Sequence, residues 1–346
     1  MDRFELEREI LKNGHFFKLI CGAGNEDAEE VYKLTLVYSL AGALGVDVSA
    51  NPSVVKRAKD AVKDARTMAK NFGIGTFVDP YITVSVGMPG DPHVRKAEII
   101  PANCTQCNAC IPVCPTDAIP KELVIIRQRC IGCGACAVAC QDDAVRYAHN
   151  EINMENILRQ CLQAGAENIE LHANVLDHEP TLLEWKVINR LLPDSFVSVC
   201  TDRGYLSNHE LIRRIKMMLE MAEGRMIVQA DGIPMSGGKD DYSTTLQAVA
   251  TADIVAKSQF PLHILISGGT NSKSMELAKK CGVPCAGVSI GTFARHKVYS
   301  FINQPNFIGN QRLLQQAVDV AKELVATCYV NQRQYDDSLA TMGIGV

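Results

Sequence analysis

Short apolar runs alternate with longer stretches of helical periodicity along almost the whole chain, and this alternation predicts a βαβ succession and a parallel sheet. Strands are expected near Phe17–Cys21, Gly45–Ala50, Tyr81–Val86, Asn168–His172, Phe196–Cys200, Met226–Ala230, Leu262–Ser267 and Cys285–Ile290. Helical stretches follow, among them Asp27–Leu40, Pro52–Asn71, Thr181–Leu191, His209–Ala222 and Asn271–Lys280. A last helix is placed near Arg312–Thr327, where Leu313, Leu314, Ala317 and Val320 recur at helical spacing. Eight strand–helix units match the number at which a (β/α)8 TIM-like barrel closes. An open doubly wound sheet satisfies the same alternation, and counting strands does not separate the two.

The third unit is interrupted. Between the strand ending at Val86 and a helix near Met154–Ala164 lies a cysteine-rich block, taken as residues 99–147. The expected organisation is therefore a first part of the barrel over 1–98 (strands one to three), an insert over 99–147, the remaining five strands over 148–330, and a tail over 331–346. An insert after the third strand sits on the C-terminal face of a barrel, where function in this fold resides.

The block is a repeat. Cys104, Cys107, Cys110 and Cys114 recur 26 residues later as Cys130, Cys133, Cys136 and Cys140. Each set reads C-x2-C-x2-C-x3-C, the run of a bacterial 2[4Fe-4S] ferredoxin-like module. Three closely spaced thiolates wrap three corners of one cubane, and the fourth cysteine serves the neighbouring cluster. On that logic one cluster takes Cys104, Cys107, Cys110 and Cys140, and the other takes Cys130, Cys133, Cys136 and Cys114. A labile corner would leave a three-iron [3Fe-4S] species on oxidation. Ala109, Gly132, Gly134 and Ala135 let the backbone close around the sites. Pro115 follows Cys114 as the motif expects, whereas Gln141 follows Cys140, a departure expected to loosen that turn. Structural zinc is the competing reading, but zinc sites use two separated pairs rather than three cysteines at two-residue gaps.

Composition narrows the remaining possibilities. The chain has fourteen cysteines, eight of them in this block, and without an export signal such crowding argues for metal over disulfides. Cys21, Cys161, Cys200, Cys281, Cys285 and Cys328 are scattered, and the last helix-to-strand pair, Cys281 and Cys285, reads as buried reduced thiols. A formal charge of −4 provides no basic field for nucleic acid. No apolar run reaches membrane-spanning length, and the mixed charges of Met1 to Glu7 point to a cytoplasmic protein.

On the barrel face, the loops after strands seven and eight contain Gly268, Gly269, Gly291 and Thr292. Glycines there, with a helix starting near Ser272, suit a phosphate-bearing ligand, flavin mononucleotide (FMN) being one form. The glycine-rich run Asp231 to Lys239 is read as a plain loop. Asn51, His93, His172, Asn174, Asp202 and Arg203 stand at expected strand ends, yet no nucleophile–base pair or metal-spaced motif emerges among them. His172 is read as a hydrogen-bonded barrel residue, Asp202 and Arg203 as a local ion pair.

The double cysteine run, together with Ala230–Gly238, Ile266–Asn271 and Gly287–Arg295, resembles the cyanobacterial light-dependent period protein family (LdpA) over nearly the whole chain. That resemblance implies a redox sensor in light input to the circadian clock, whose clusters follow photosynthetic electron transport and adjust the period. Its expected partners are clock-input and photosynthetic electron-transport proteins. Only the eight cysteines carry over residue by residue. The alternatives are a ferredoxin-linked oxidoreductase, passing electrons to a flavin or small substrate on the barrel face, and a plain electron carrier. The absence of a visible catalytic set favours the sensor.

Overall fold

A computed structural model describes residues 2–149, 153–233 and 239–329 of the 346-residue chain. Eight parallel strands follow one another around a closed ring: β1 (Phe16–Ile20), β2 (Gly45–Ser49), β3 (Tyr81–Gly87), β6 (Asn168–His172), β7 (Val197–Thr201), β8 (Met226–Asp231), β9 (His263–Ser267) and β10 (Gly287–Ile290). Pairing of β1 with β10, from Phe16 opposite Gly287 to Leu19 opposite Ile290, closes the ring. An open sheet would leave those two edges bare, so closure decides between the two architectures. The helices α2 (Ala28–Leu40), α3 (Pro52–Met68), α5 (Met154–Ala164), α6 (His178–Leu191), α7 (Asn208–Ala222), α8 (Tyr242–Lys257), α9 (Ser274–Lys280), α10 (Thr292–Ile302) and α11 (Gln311–Val325) complete the barrel units. Between β3 and α5, an antiparallel hairpin of β4 (Lys96–Ile99) and β5 (Val145–Ala148) frames the cysteine block, with the short α4 (Ala135–Ala139) inside it. No helix among the described residues is long and apolar enough to cross a membrane.

Three features differ from the expectations. An N-terminal helix, α1 (Arg3–Asn13), precedes the first strand; Asp2 caps it by accepting from the Glu5 N–H at 2.8 Å. The residues after β10, read as a loop, begin α10 directly at Thr292. The helix expected from Asn271 starts only at Ser274, because the Asn271 N–H donates to Ser274 Oγ and Asn271 Oδ1 accepts from Lys273 N, tying the chain into a turn first. The expected tail over 331–346 and residues 234–238 of the glycine-rich loop lie outside the described residues.

Alternation along the strands explains the layering. Leu19, Val46, Val48, Val84, Ile169, Leu171, Val199, Val228, Ile266 and Val288 belong to the large apolar layer packed with the helices. The intervening positions face the barrel axis, and most of them are polar. At the N-terminal end Phe16, Tyr81, Phe196, Ile227 and Leu265 meet Ile10 and Leu11 of α1, which plugs that opening. Above this plug the interior is charged, unlike the branched apolar filling usual in such barrels.

The plug carries a buried acid. Glu7 is 1% exposed, accepts from Asn168 Nδ2 at 2.6 Å, and burial lifts its pKa from about 4.5 to about 8. A folded-state pKa above the unfolded value means that the native protein holds the extra proton. Its contribution is complete below about pH 4.5 and is lost as pH rises towards 8. Glu7→Gln should therefore match the wild type near pH 5 and gain on it by up to about 1.4 kcal/mol per pH unit above that. Parallel stability–pH curves for the two proteins in chemical denaturation would refute the assignment.

Candidate functional site

The cysteine repeat is also a backbone repeat. Left-handed residues recur at the same offset: Gln106 with Gly132, Asn108 with Gly134, and Asp117 with Asp143. The first two pairs flank Cys107 and Cys133, so each loop curls around its middle cysteine. Glycine occupies the second copy for a steric reason. A Cβ on Gly132 would lie 2.5 Å from Arg95 O and 2.6 Å from Pro92 O, because that loop rests on the chain leaving β3. The first copy points away from the barrel and tolerates Gln106 and Asn108.

Two hollows form within the module. One is lined by Cys104, Cys107, Cys110 and Cys140, and the other by Cys114, Cys130, Cys133 and Cys136. Four thiols around each hollow, from loops with inward backbone donors, fit the donor set of an iron–sulfur cluster. Amide N–H groups of Ala97, Ala118 and Ala144 donate to the sulfurs of Cys130, Cys114 and Cys140 at 3.3, 3.2 and 3.4 Å. The last two are equivalent contacts, so the turn after Cys140 keeps its form although Gln141 replaces proline. Burial pushes the Cys136 thiol up to about 11, while Cys107 is exposed. The Cys104 hollow is thus the outer one and the Cys130 hollow the inner.

The inner hollow abuts the barrel mouth. Lys96, 5% exposed, donates from Nζ to the carbonyls of Gly24, Arg127 and Cys130, the last two at 2.9 Å. Glu26 N donates to Gln128 O at 2.7 Å, and Arg129 pairs with Asp27 at 3.0 Å. Ile131, next to Cys130, lines the mouth cavity itself.

That cavity, about 80 Å3, is bordered by His93, Glu170, His172, Cys200, Asp231 and the glycines of the β9 and β10 loops. Beneath it Lys18 Nζ binds Glu170 Oε2 at 2.7 Å and Asp47 Oδ2 at 3.2 Å, all three at most 3% exposed. Gln229 and Ser198 also donate to Glu170, and Ser85 donates to Asp47. Burial works against every charge here. Lys18 nevertheless holds Glu170 below its usual range, while burial leaves Asp47 raised to about 7.

Nearer the opening, Asp91 Oδ1 lies 2.8 Å from His93 Nδ1, and His93 Nε2 lies 3.5 Å from Asp231 Oδ2. Burial opposes a charged His93, but Asp91, Asp231 and Asp202 prevail and raise its pKa to about 9. Burial, then His93, push His172 down to about 4; the two rings are 4.4 Å apart. Burial lifts Asp231 to about 6, and the Cys200 thiol, pushed well up, donates to Asp231 at 3.4 Å.

The structure thus gathers His93 and His172, two of the residues singled out at strand ends. Gly268, Gly269, Gly291 and Thr292 border the same cavity. Asn174 and Asp202 support it from behind: Asn174 Oδ1 accepts from the Asp202 N–H, and the Asn174 N–H donates to Asp91. Three expectations need correction. Asp202 and Arg203 do not pair; Asp202 accepts from Gly204 N, and Arg203 reaches Asn208, because the loop turns between them. His172 is a buried barrel residue whose Nε2 lies 3.5 Å from Glu170 Oε1, but its Nδ1 has no hydrogen-bond partner. Cys281 is exposed rather than buried. Asn51 only caps α3, accepting from Ser53 N. Lys18, Asp47, Glu170, Cys200, Gln229 and Asp231 were not anticipated. Their signal is polar residues at every second position of strands that are otherwise Val- and Ile-rich.

Residues 160–327 match the family model described as the light dependent period A C-terminal domain, and residues 97–119 and 123–146 each match a 4Fe-4S binding domain. A protein named Light dependent period A from Synechococcus elongatus is 30% identical over 331 residues, 92% of each chain. Among solved structures, the YdjI aldolase from Escherichia coli K12 is similar at 9% identity and a TM-score of 0.47, covering 95% of this chain and 96% of that one. QR15, an aldolase, is similar at 12% identity and a TM-score of 0.45, covering 82% and 92%. Neither likeness bears on activity.

Proposed function

The chain belongs to the light dependent period A family, and from that premise we propose that it is an iron–sulfur redox sensor, which relays the light-dependent redox state of photosynthetic electron transport to the circadian clock. In this reading Cys104, Cys107, Cys110 and Cys140 hold one [4Fe-4S] cluster, and Cys114, Cys130, Cys133 and Cys136 hold the other. When bound, such clusters supply one-electron chemistry and change charge by one unit. The exposed Cys107 side faces the photosynthetic partner, and the barrel surface answers to clock-input proteins.

The observation that carries the proposal is Lys96. This buried cation is hydrogen-bonded to a carbonyl of the barrel (Gly24) and to two of the cluster module (Arg127 and Cys130), while Ala97 beside it donates to Cys130 Sγ. A charge change at the inner site therefore alters the balance of contacts that fixes the Gly22–Glu26 loop. A sensor needs such a differential interaction between its two states. Amide hydrogen exchange should differ between oxidised and dithionite-reduced protein in residues 22–26 and 93–97, and Lys96→Met should abolish that difference while retaining both clusters. Identical exchange in the two redox states would sink the sensor mechanism.

A second reading is an oxidoreductase that passes electrons from the clusters to a flavin or small substrate held by Gly268, Gly269, Gly291 and Thr292. Ile131 favours it, since it places the inner site's loop at the cavity. The cavity of about 80 Å3 suits a phosphate-sized group, far below the roughly 300 Å3 at which ordinary cofactor pockets begin. Release of FMN on acid precipitation would favour this reading over the sensor.

A further inference from the structure

The mouth of the barrel gathers the donors of a transition-metal site separate from the cysteine module. One ligand atom each from His93, His172 and Cys200 lies within 4.8 Å of the others. Asp231 joins them, with its Oδ2 3.5 Å from His93 Nε2 and 3.4 Å from Cys200 Sγ. In a tetrahedral site with bonds of about 2.0–2.3 Å, neighbouring ligand atoms stand roughly 3.3–3.8 Å apart. The two Asp231 contacts are already at that spacing, and the separations among His93, His172 and Cys200 have to close by up to about 1 Å. Asp231, which stands outside that set of three, has farther to move towards His172.

Three further observations point to a cation. His172 is 6% exposed, and its Nδ1 lacks a hydrogen-bond partner although it is buried beside this cluster. Asp91 holds His93 by Nδ1, turning Nε2 towards Asp231; Asp91 is itself held by the backbone N–H groups of His93 and Asn174. A carboxylate behind a histidine is the usual support of a metal ligand, fixing its tautomer and orientation. Charge also matches. Glu170 is committed to Lys18, so a Cys200 thiolate and the Asp231 carboxylate would neutralise a dication, with both imidazoles neutral. An anion at the same place would meet Asp231, which lies so close over Gly268 that a Cβ there would be 1.7 Å from its Oδ1.

We propose that His93, His172, Cys200 and Asp231 bind one divalent transition-metal ion of borderline softness, with zinc and ferrous iron the two that fit an N2SO donor set. Binding expels the Cys200 proton and any proton on His93 Nε2, and it gives a role to His172 Nδ1, which has no hydrogen-bond partner while Nε2 lies 3.5 Å from Glu170 Oε1. The site stands on four strand ends and loops of the barrel, owes nothing to the eight cysteines of the module, and does not depend on the sensor reading.

The test uses anaerobically purified, cluster-loaded protein, stripped of loose metal with EDTA and then incubated with Zn2+ or, separately, Fe2+. After desalting, about one added ion per chain should remain, with inorganic sulfide unchanged. Zinc-edge X-ray absorption should show one sulfur and three nitrogen or oxygen ligands. His93→Ala with Cys200→Ala should lose that ion and keep the sulfide. Asp91→Asn, which leaves the ligands in place, should weaken zinc binding about 10- to 100-fold. Retention by Fe2+ alone would identify ferrous iron as the ion. No retained metal with either ion, or zinc in a four-sulfur environment insensitive to the double substitution, would overturn the proposal. Four-sulfur zinc in sulfide-free protein would instead count against the cluster reading of the module.

Discussion

Cys114→Ala should remove about half of the cluster iron, and combining it with Cys130→Ala should remove no more. The two cysteines belong to different sequence repeats, yet they line the same hollow. Each cluster needs its complete thiolate set, so losing a second ligand of an already absent cluster costs nothing further. Cys114→Ala with Cys140→Ala should behave oppositely and empty both sites, because Cys140 lines the other hollow. Iron and sulfide counts after anaerobic purification, with electron paramagnetic resonance of the reduced protein, read the outcome directly. If Cys114→Ala with Cys130→Ala lost both clusters, each repeat would hold its own cluster and the crossed arrangement would be wrong. The expected loss is large since nothing else nearby can replace a thiolate. Beside the missing sulfur stand the Thr116 hydroxyl and the Ala118 amide N–H, neither of them a thiolate.

Lys18→Met is expected to destabilise the barrel by about 3–5 kcal/mol. Lys18 reaches from β1 across the barrel interior to Glu170 on β6, with Asp47 of β2 beside it, and none of the three is more than 3% exposed. Removing the ammonium leaves two carboxylates facing one another without a counter-charge. Protonating both relieves this in part, and Asp47, already raised to about 7, takes up its proton first. Denaturant unfolding of the cluster-loaded variant should show the loss, and it should shrink as pH falls, beginning above pH 7, because without Lys18 both carboxylates keep their protons to higher pH. Replacing all three by neutral groups, with Lys18→Met, Asp47→Asn and Glu170→Gln, should restore most of the stability. A Lys18→Met protein as stable as the wild type at pH 8 would show that the carboxylates are neutral or solvated.

The outer layer of the fold was legible because it depends on neighbours along the chain. All eight barrel strands were foreseen, as runs such as Gly45–Ala50 and Phe196–Cys200, whose apolar residues are what the flanking helices cover. Capping chemistry at Asp27 and Asn51 starts the next helices where periodicity placed them. The eighth strand shortened to Gly287–Ile290, since Cys285 and Ala286 are still turning out of the preceding loop. Helix starts were missed where a local side chain held the backbone in a turn, as Asn271 and Ser274 do, or where no capping side chain announced the start, as at Gly291 before Thr292.

The cysteine repeat, the family and the succession of eight strand–helix units were determined by residues close together in sequence, where spacing alone limits the chemistry. The meeting of Lys18 with Glu170, of His93 with Asp231, and of Cys130 with Gly24 by way of Lys96 was decided only when the barrel closed. Residues 152 positions apart, as Lys18 and Glu170 are, carry no mutual signal along the chain. Lys18 is a single polar residue in an apolar strand and Glu170 one of three polar positions in its own, and the partner of each is chosen by strand register and by the curvature that brings opposite walls together.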